Sequence, residues 1–312
     1  MDFKLLNNRF LVFCLVAIVF ISCGKQVDKQ VVSKADTFHL TDTVHAVTEN
    51  PKISEFKAFV VKLDSSDIAS IPKATEKYKE IFKGQTPALC DSGFVVFQLL
   101  YDSIEFHLNL KHQNDTTNYE PLLSDNQSVI PKGLKEFQKK LLLNGFKISA
   151  SEGVTYIEQD RSFVAKNFYE LVTPAMKEYL IEIQKENKEG FAINGTISIS
   201  PHQLVDRTVW YEKFVAAHPD FVFETNCKNY QKAYLTYLLC GYQNTSVYQN
   251  KESGQLSDFY LNAYNYLLSK YADSQTVQTI TPYYDALKQK QTATAQSILK
   301  GYRIKGMIFS LK

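Results

Sequence analysis

Residues 94–110 read FVVFQLLYDSIEFHLNL. Phe94, Phe97, Tyr101, Ile104 and Leu108 recur at steps of three and four, which places them on one side of an α-helix. The end of the stretch has two readings, because Ile104, Phe106, Leu108 and Leu110 also alternate as a half-buried strand would. The helical period returns downstream. Leu134, Phe137 and Leu141 predict a second helix, with Gly145 just past its end as a cap. Val164, Phe168 and Leu171 predict a third. Pro174 opens a fourth, with Met176, Tyr179, Leu180 and Ile183 on one face and Lys177, Glu178, Glu182 and Lys185 on the other. Further helices are expected over 204–215, 229–240 (capped by Gly241), 259–271 and 277–287. Two β signals interrupt. Phe146, Ile148 and Ala150 alternate up to Ser151-Glu152-Gly153, and Val154-Thr155-Tyr156-Ile157 follows, a hairpin with a glycine in its turn. Asn194-Gly195 is a second turn signal with short flanks. The expected fold class is mainly α: a helical-hairpin bundle or short solenoid-like array with one or two small β-hairpins.

The chain has 312 residues, 45% of them hydrophobic, enough for a packed core. Its first 22 residues differ from the rest. Lys4 and Arg9 precede an unbroken apolar run, Phe10 to Ile21, and Ser22 leads into Cys23. A charged start, a short apolar centre and a small residue before a break form a secretory signal. Twelve residues of helix rise about 18 Å, too short for a hydrocarbon core of roughly 30 Å. Residues 24–52 carry no sustained apolar period and read as a tether. The expected organisation is a leader at 1–22, a tether at 23–52 and a helical body at 53–312, divisible into lobes 53–190 and 191–312.

Phe20-Ile21-Ser22-Cys23 resembles the lipobox of bacterial lipoproteins. That resemblance implies acylation of Cys23, which becomes the new N-terminus, and a diacylglycerol plus an amide-linked chain, enough acyl surface for stable anchoring. In that family Asp beside the cysteine retains the protein at the inner membrane, and this chain has Gly24, so the outer membrane is the implied destination. The C-terminal half resembles tetratricopeptide-like lipoproteins. Phe214-Val-Ala-Ala-His-Pro-Asp220 closes one helix, and 53 residues later Leu267-Leu-Ser-Lys-Tyr-Ala-Asp273 closes another, each followed by a second helix. The spacing departs from that family's 34 residues. The implication carried forward is helix pairs packed side by side.

Loss of Lys4, Arg9 and Asp2 with the leader takes the formal charge from +2 to +1. A near-neutral chain carries no electrostatic footprint for nucleic acid. Cys90, Cys227 and Cys240 remain in the body, an odd number that favours buried free thiols. There is no G-x-S-x-G, H-E-x-x-H, P-loop, G-x-G-x-x-G or C-x-x-C. Neither a cofactor nor a metal site is expected. His107 and His112, five apart, make a poor ligand pair. His218-Pro219-Asp220 matches the J-domain tripeptide, but a helix stop explains it better. Asp91-Ser92-Gly93 reads as the N-cap of the helix that follows.

The densest polar group is Glu152, Glu158, Asp160, Arg161 and then Glu170. Paired carboxylates there could act on a glycoside as acid and base. The competing reading is a solvated hairpin edge running into a helix N-terminus, where acidic residues favour the dipole. Tyr156 shares a strand face with Glu158. Only four arginines occur, and within the body Arg161 and Arg207 read first as structural ion pairs and second as ligand contacts. Trp210 is the one tryptophan, in a half dense in tyrosine. Such aromatics can stack on sugar rings, though at helical spacing they more often fill a core. The expected binding residues are therefore Glu152, Tyr156, Glu158, Asp160, Arg161, Arg207 and Trp210. The expected function is a membrane-anchored, non-enzymatic binding or scaffold module for an envelope protein or glycan. The alternative is a cell-wall or polysaccharide hydrolase using the carboxylates of residues 152–170.

Overall fold

The stretch at 94–110 is helical throughout. In a computed structural model, helix α3 runs 26 residues, Pro87–His112. The structure describes residues 50–310, apart from 125, 152 and 251–253. The leader, Cys23, nearly all of the tether and Glu152 lie outside the described residues. Phe94, Phe97, Tyr101 and Ile104 are buried along the predicted stripe. The strand-like alternation at its end loses to the helical period. Phe106 and Leu110 face solvent, and Asn109 between them is buried.

Eleven α-helices and three two-stranded antiparallel sheets make up the described chain. Before α3 come α1 (Pro51–Val60) and α2 (Ser70–Phe82), both packed against it. Gly93 permits the close approach of α2 and α3, since a Cβ there would lie 2.6 Å from the Phe82 ring. Two 3₁₀ turns lead into α4 (Lys132–Leu143), then strands β1 (Phe146–Ser151) and β2 (Val154–Gln159), then α5 (Arg161–Phe168). The hairpin register sets Phe146 opposite Gln159 and Ile148 opposite Ile157. Gly145 joins α4 to β1 at φ 84°, where a Cβ would stand 2.9 Å from the Tyr101 hydroxyl. That hydroxyl donates to the Gly145 carbonyl.

Helix α6 (Pro174–Glu189) follows, then the short hairpin β3 (Ala192–Ile193) and β4 (Thr196–Ile197) turning on Asn194-Gly195. Next come α7 (Pro201–Ala217), entered through a Ser200/Gln203 capping box, and α8 (Glu224–Cys240). His218-Pro219-Asp220 forms the turn between them. Strands β5 (Tyr248–Asn250) and β6 (Gln255–Leu256) precede α9 (Asp258–Lys270), α10 (Gln275–Lys288) and α11 (Thr292–Ile304). The two 53-residue units pack differently: α7 lies along α8, whereas α10 lies mainly along α11 and α9 leans on α7. One core runs from Ile53 to Ile308 without a break at 190. Cys90, Cys227 and Cys240 are free thiols.

Helix ends are closed by side chains from other helices. Asp91 is not the N-cap of α3, which begins four residues earlier. Its carboxylate accepts from the Thr173 N–H at 2.9 Å and the Thr173 hydroxyl at 2.6 Å, holding the cap residue of α6. Glu212 of α7 holds the first turn of α10, accepting from the N–H groups of Gln275 (2.9 Å) and Thr276 (2.7 Å) and from the Thr276 hydroxyl (2.6 Å). The tyrosines fill the core as expected, but several hydroxyls end on buried carbonyls rather than at the surface. Tyr260 and Tyr264 donate to Tyr237 and Leu238, in the last turn of α8. Replacing Glu212 with alanine strips three bonds from one buried carboxylate. A loss of about 2–3 kcal/mol of unfolding free energy is expected, measured by urea titration.

Candidate functional site

The hairpin brings Tyr156, Glu158, Asp160 and Arg161 together at the junction of β2 and α5. Each described carboxylate of the predicted cluster already has a local partner. Glu158 sits opposite Lys147 across the hairpin, with an ion pair of 3.0 Å, and accepts from the Ser149 hydroxyl. Asp160 caps α5, its oxygen 2.9 Å from the Ser162 N–H. Glu170 is 92% exposed, with Lys177 at 3.9 Å.

The carboxylates that meet under the hairpin are two others, on α3. Gln98, Asp102 and Glu105 step by four and three, forming a polar track beside the apolar stripe. Gln159 of β2 reaches onto it. Its amide nitrogen donates to Asp102 at 2.7 Å and to Glu105 at 2.9 Å, while Gln98 donates to Asp102 at 2.6 Å and to the Gln159 oxygen at 2.9 Å. The two amides are buried, Gln98 7% and Gln159 4% exposed. Burial pushes Asp102 up to about 7, against the amide donors and the charge of Arg161. Burial and the neighbouring Asp102 push Glu105 up to about 8. Gln98 Oε1 and Arg161 Nε are buried without a hydrogen-bond partner. The arrangement can hold protons near neutral pH. Pattern reading passed over it because Asp102 and Glu105 look like the ordinary polar side of an amphipathic helix. The four–three spacing of Gln98, Asp102 and Glu105, one position after Phe97, Tyr101 and Ile104, was the available signal.

The charged forms of Asp102 and Glu105 are the penalised ones. Their contribution to stability is therefore fullest below the unfolded carboxylate range of about 4 and declines as pH rises toward 8. The double variant Asp102→Asn/Glu105→Gln is expected to flatten the fall in unfolding free energy between pH 5 and pH 8. Denaturant titrations at both pH values check this, and an unchanged slope would contradict it.

Arg207 lies in a second buried knot and is 1% exposed. It donates to Glu189 at 2.9 Å and to the Gly190 carbonyl at 2.8 Å, and its other terminal nitrogen lies 3.3 Å from the Tyr234 hydroxyl. Tyr234 in turn donates to Glu186 at 2.7 Å, and burial raises Glu186 to about 7. The knot ties α6, α7 and α8 together.

A neighbouring side of α7 reaches solvent at His202 and Lys213. His202, Asp206, Trp210 and Lys213 follow one stripe at helical spacing. Asp206 accepts from the Tyr271 hydroxyl at 2.7 Å, the Tyr266 hydroxyl at 2.9 Å and the Lys270 ammonium at 3.2 Å, all at the end of α9. The imidazole of His202 stacks on Tyr266, centroids 3.9 Å apart and planes 12° apart. Lys213 and Lys270 lie 5.1 and 5.0 Å from the Tyr271 ring. Trp210 is half-buried, stacked on Phe214 at 4.8 Å. Trp210 was the sequence's pointer to this face. The residues of α9 were missed because their link to α7 is tertiary.

Among the described residues, no group of three or more His, Cys, Asp or Glu gathers as a metal ligand set, and no helix is long and apolar enough to cross a membrane. Comparison of the chain with family models, curated proteins and solved structures finds no match.

Proposed function

We propose that this chain is a lipid-anchored protein of the cell envelope. It is held at the outer membrane through Cys23 and works as a non-enzymatic binding or scaffold module for a protein or glycan partner. The observation that carries the binding reading is the α7–α9 face, where three donors converge on Asp206 beside stacked aromatic rings in solvent reach. Interaction surfaces are enriched in such aromatic side chains. The anchor reading rests on the leader and its cysteine, Lys4 and Arg9 before the apolar run Phe10 to Ile21 and then Ser22-Cys23. A spacer between lipid and body suits a module that must reach a partner.

The hydrolytic alternative draws less support. Glu158 is tied to Lys147 and Ser149, Asp160 closes α5, and Glu170 stands in solvent beside Lys177. A glycosidase needs two carboxyls free to flank a sugar bond.

Cys23→Ala is expected to shift the protein from the membrane pellet to the soluble fraction after cell lysis. Fractionation with immunodetection measures it. Continued tight membrane association of the variant would overturn the anchor.

A further inference from the structure

We propose that the α7–α9 face binds an acidic glycan, a chain bearing uronic-acid rings. The proposal rests on the binding-module reading and names its partner. Three features of the face fit that chemistry.

The first is a platform. One face of the His202 ring is covered by Tyr266, and His202 itself is exposed to solvent. A flat ring pair of this kind matches the C–H face of a pyranose, and the stack holds it in place before a ligand arrives, limiting the entropy lost on binding.

The second is a fixed acceptor. Asp206 is held in place by Tyr266, Tyr271 and Lys270. Burial pushes its pKa up, yet the three donors outweigh burial and hold it below the usual carboxylate range. One of its oxygens takes the Tyr271 and Lys270 bonds and the nearer contact of Tyr266. The other is reached only by the Tyr266 hydroxyl at 3.2 Å, so it keeps lone-pair capacity for a sugar hydroxyl.

The third is charge. Lys270 is paired with Asp206. Lys213 sits over Tyr271, and among the described residues no carboxylate lies within ion-pair distance of it. The neighbouring Glu212 is turned inward to the start of α10. An ammonium is thus left to meet a carboxylate on the ligand, which selects an acidic ring over a neutral one.

The test titrates the detergent-solubilised full chain with oligogalacturonate, followed by isothermal calorimetry. Dextran serves as the neutral glycan and poly-glutamate as the acidic peptide. Saturable binding of oligogalacturonate is expected, with dextran silent. Lys213→Ala and His202→Ala, both surface changes checked for folding by circular dichroism, are each expected to weaken binding about tenfold. No saturable binding, equal binding of dextran, or unchanged affinity in both variants would overturn the proposal. So would equal or tighter binding of poly-glutamate, which would point instead to a protein partner. Failure here is separable from failure of the anchored-module reading, because release of the Cys23→Ala protein from membranes does not depend on the glycan.

Discussion

A two-stranded sheet has edges whose peptide groups must be hydrogen-bonded or solvated, and here a helix takes up one of them. The polar track of α3 extends through Gln98, Asp102, Glu105, Asn109 and His112, at steps of four, three, four and three. Opposite it, β2 offers Gln159, Ile157 and Thr155 at steps of two. The Asn109 amide acts as a substitute peptide: it donates to the Ile157 carbonyl at 2.6 Å and accepts from the Ile157 N–H at 2.8 Å. His112 Nε2 lies 3.0 Å from the Thr155 hydroxyl. A helix advances about 5 Å per three to four residues and a strand about 6.7 Å per two, so the tracks drift by only about 1.5 Å per step and three strand positions stay within side-chain reach. The placement of α4, of α5 and of the half-buried carboxyl pair Asp102 and Glu105 follows from this docking.

The same logic organises the helix ends. A helix start carries orphan N–H groups, and a buried start needs an acceptor from somewhere. Asp91 and Glu212 provide it across helix pairs, while Tyr260 and Tyr264 serve the carbonyls that close α8. Each bond joins elements that are distant in sequence and therefore favours one arrangement of the bundle over alternatives with equal hydrophobic burial. Apolar packing alone would tolerate many such arrangements. The buried polar groups make the choice, and Arg207 is the most demanding of them, since an unpaired guanidinium in that position would be strongly destabilising.

What could be read from the chain was what repeats locally. The stripe at Phe94, Phe97, Tyr101 and Ile104 gave its helix, Asp160 lay at the helix start where an acidic residue belongs, and Asn194-Gly195 gave its turn. What could not be read was set by partners far along the chain. Asp91 looked like a cap and instead holds the cap residue, Thr173, of a helix that starts 83 residues later. Asp102 and Glu105 looked solvated because the strand that covers them begins beyond residue 150. Tyr266 and Tyr271 stood out in the sequence only as part of a tyrosine-rich half, because Asp206, the common acceptor of their hydroxyls, is about sixty residues away. Within the sequence cluster at 152–170, Glu158 is spent on hairpin pairing and Asp160 on helix capping.

Helix α7 shows how one element divides structural from available chemistry. Asp206 and Arg207 are adjacent in sequence and about 100° apart on the helix, so one faces α9 and solvent while the other enters the core. Arg207 is fully enclosed, and its terminal nitrogens are taken up by Glu189, Gly190 and Tyr234. It is therefore no longer accessible to an outside ligand, whatever its suitability for carboxylate recognition. Asp206 keeps an oxygen with spare capacity and sits among rings and ammoniums that solvent reaches. The rigidity of the inner face sustains the order of the outer one: the knot fixes α7 against α6 and α8, and a fixed α7 holds His202, Asp206 and Lys213 in register with the end of α9. Side chains presented by two packed helices rather than by a loop keep their geometry without a ligand, which is what the proposed binding role requires of this face.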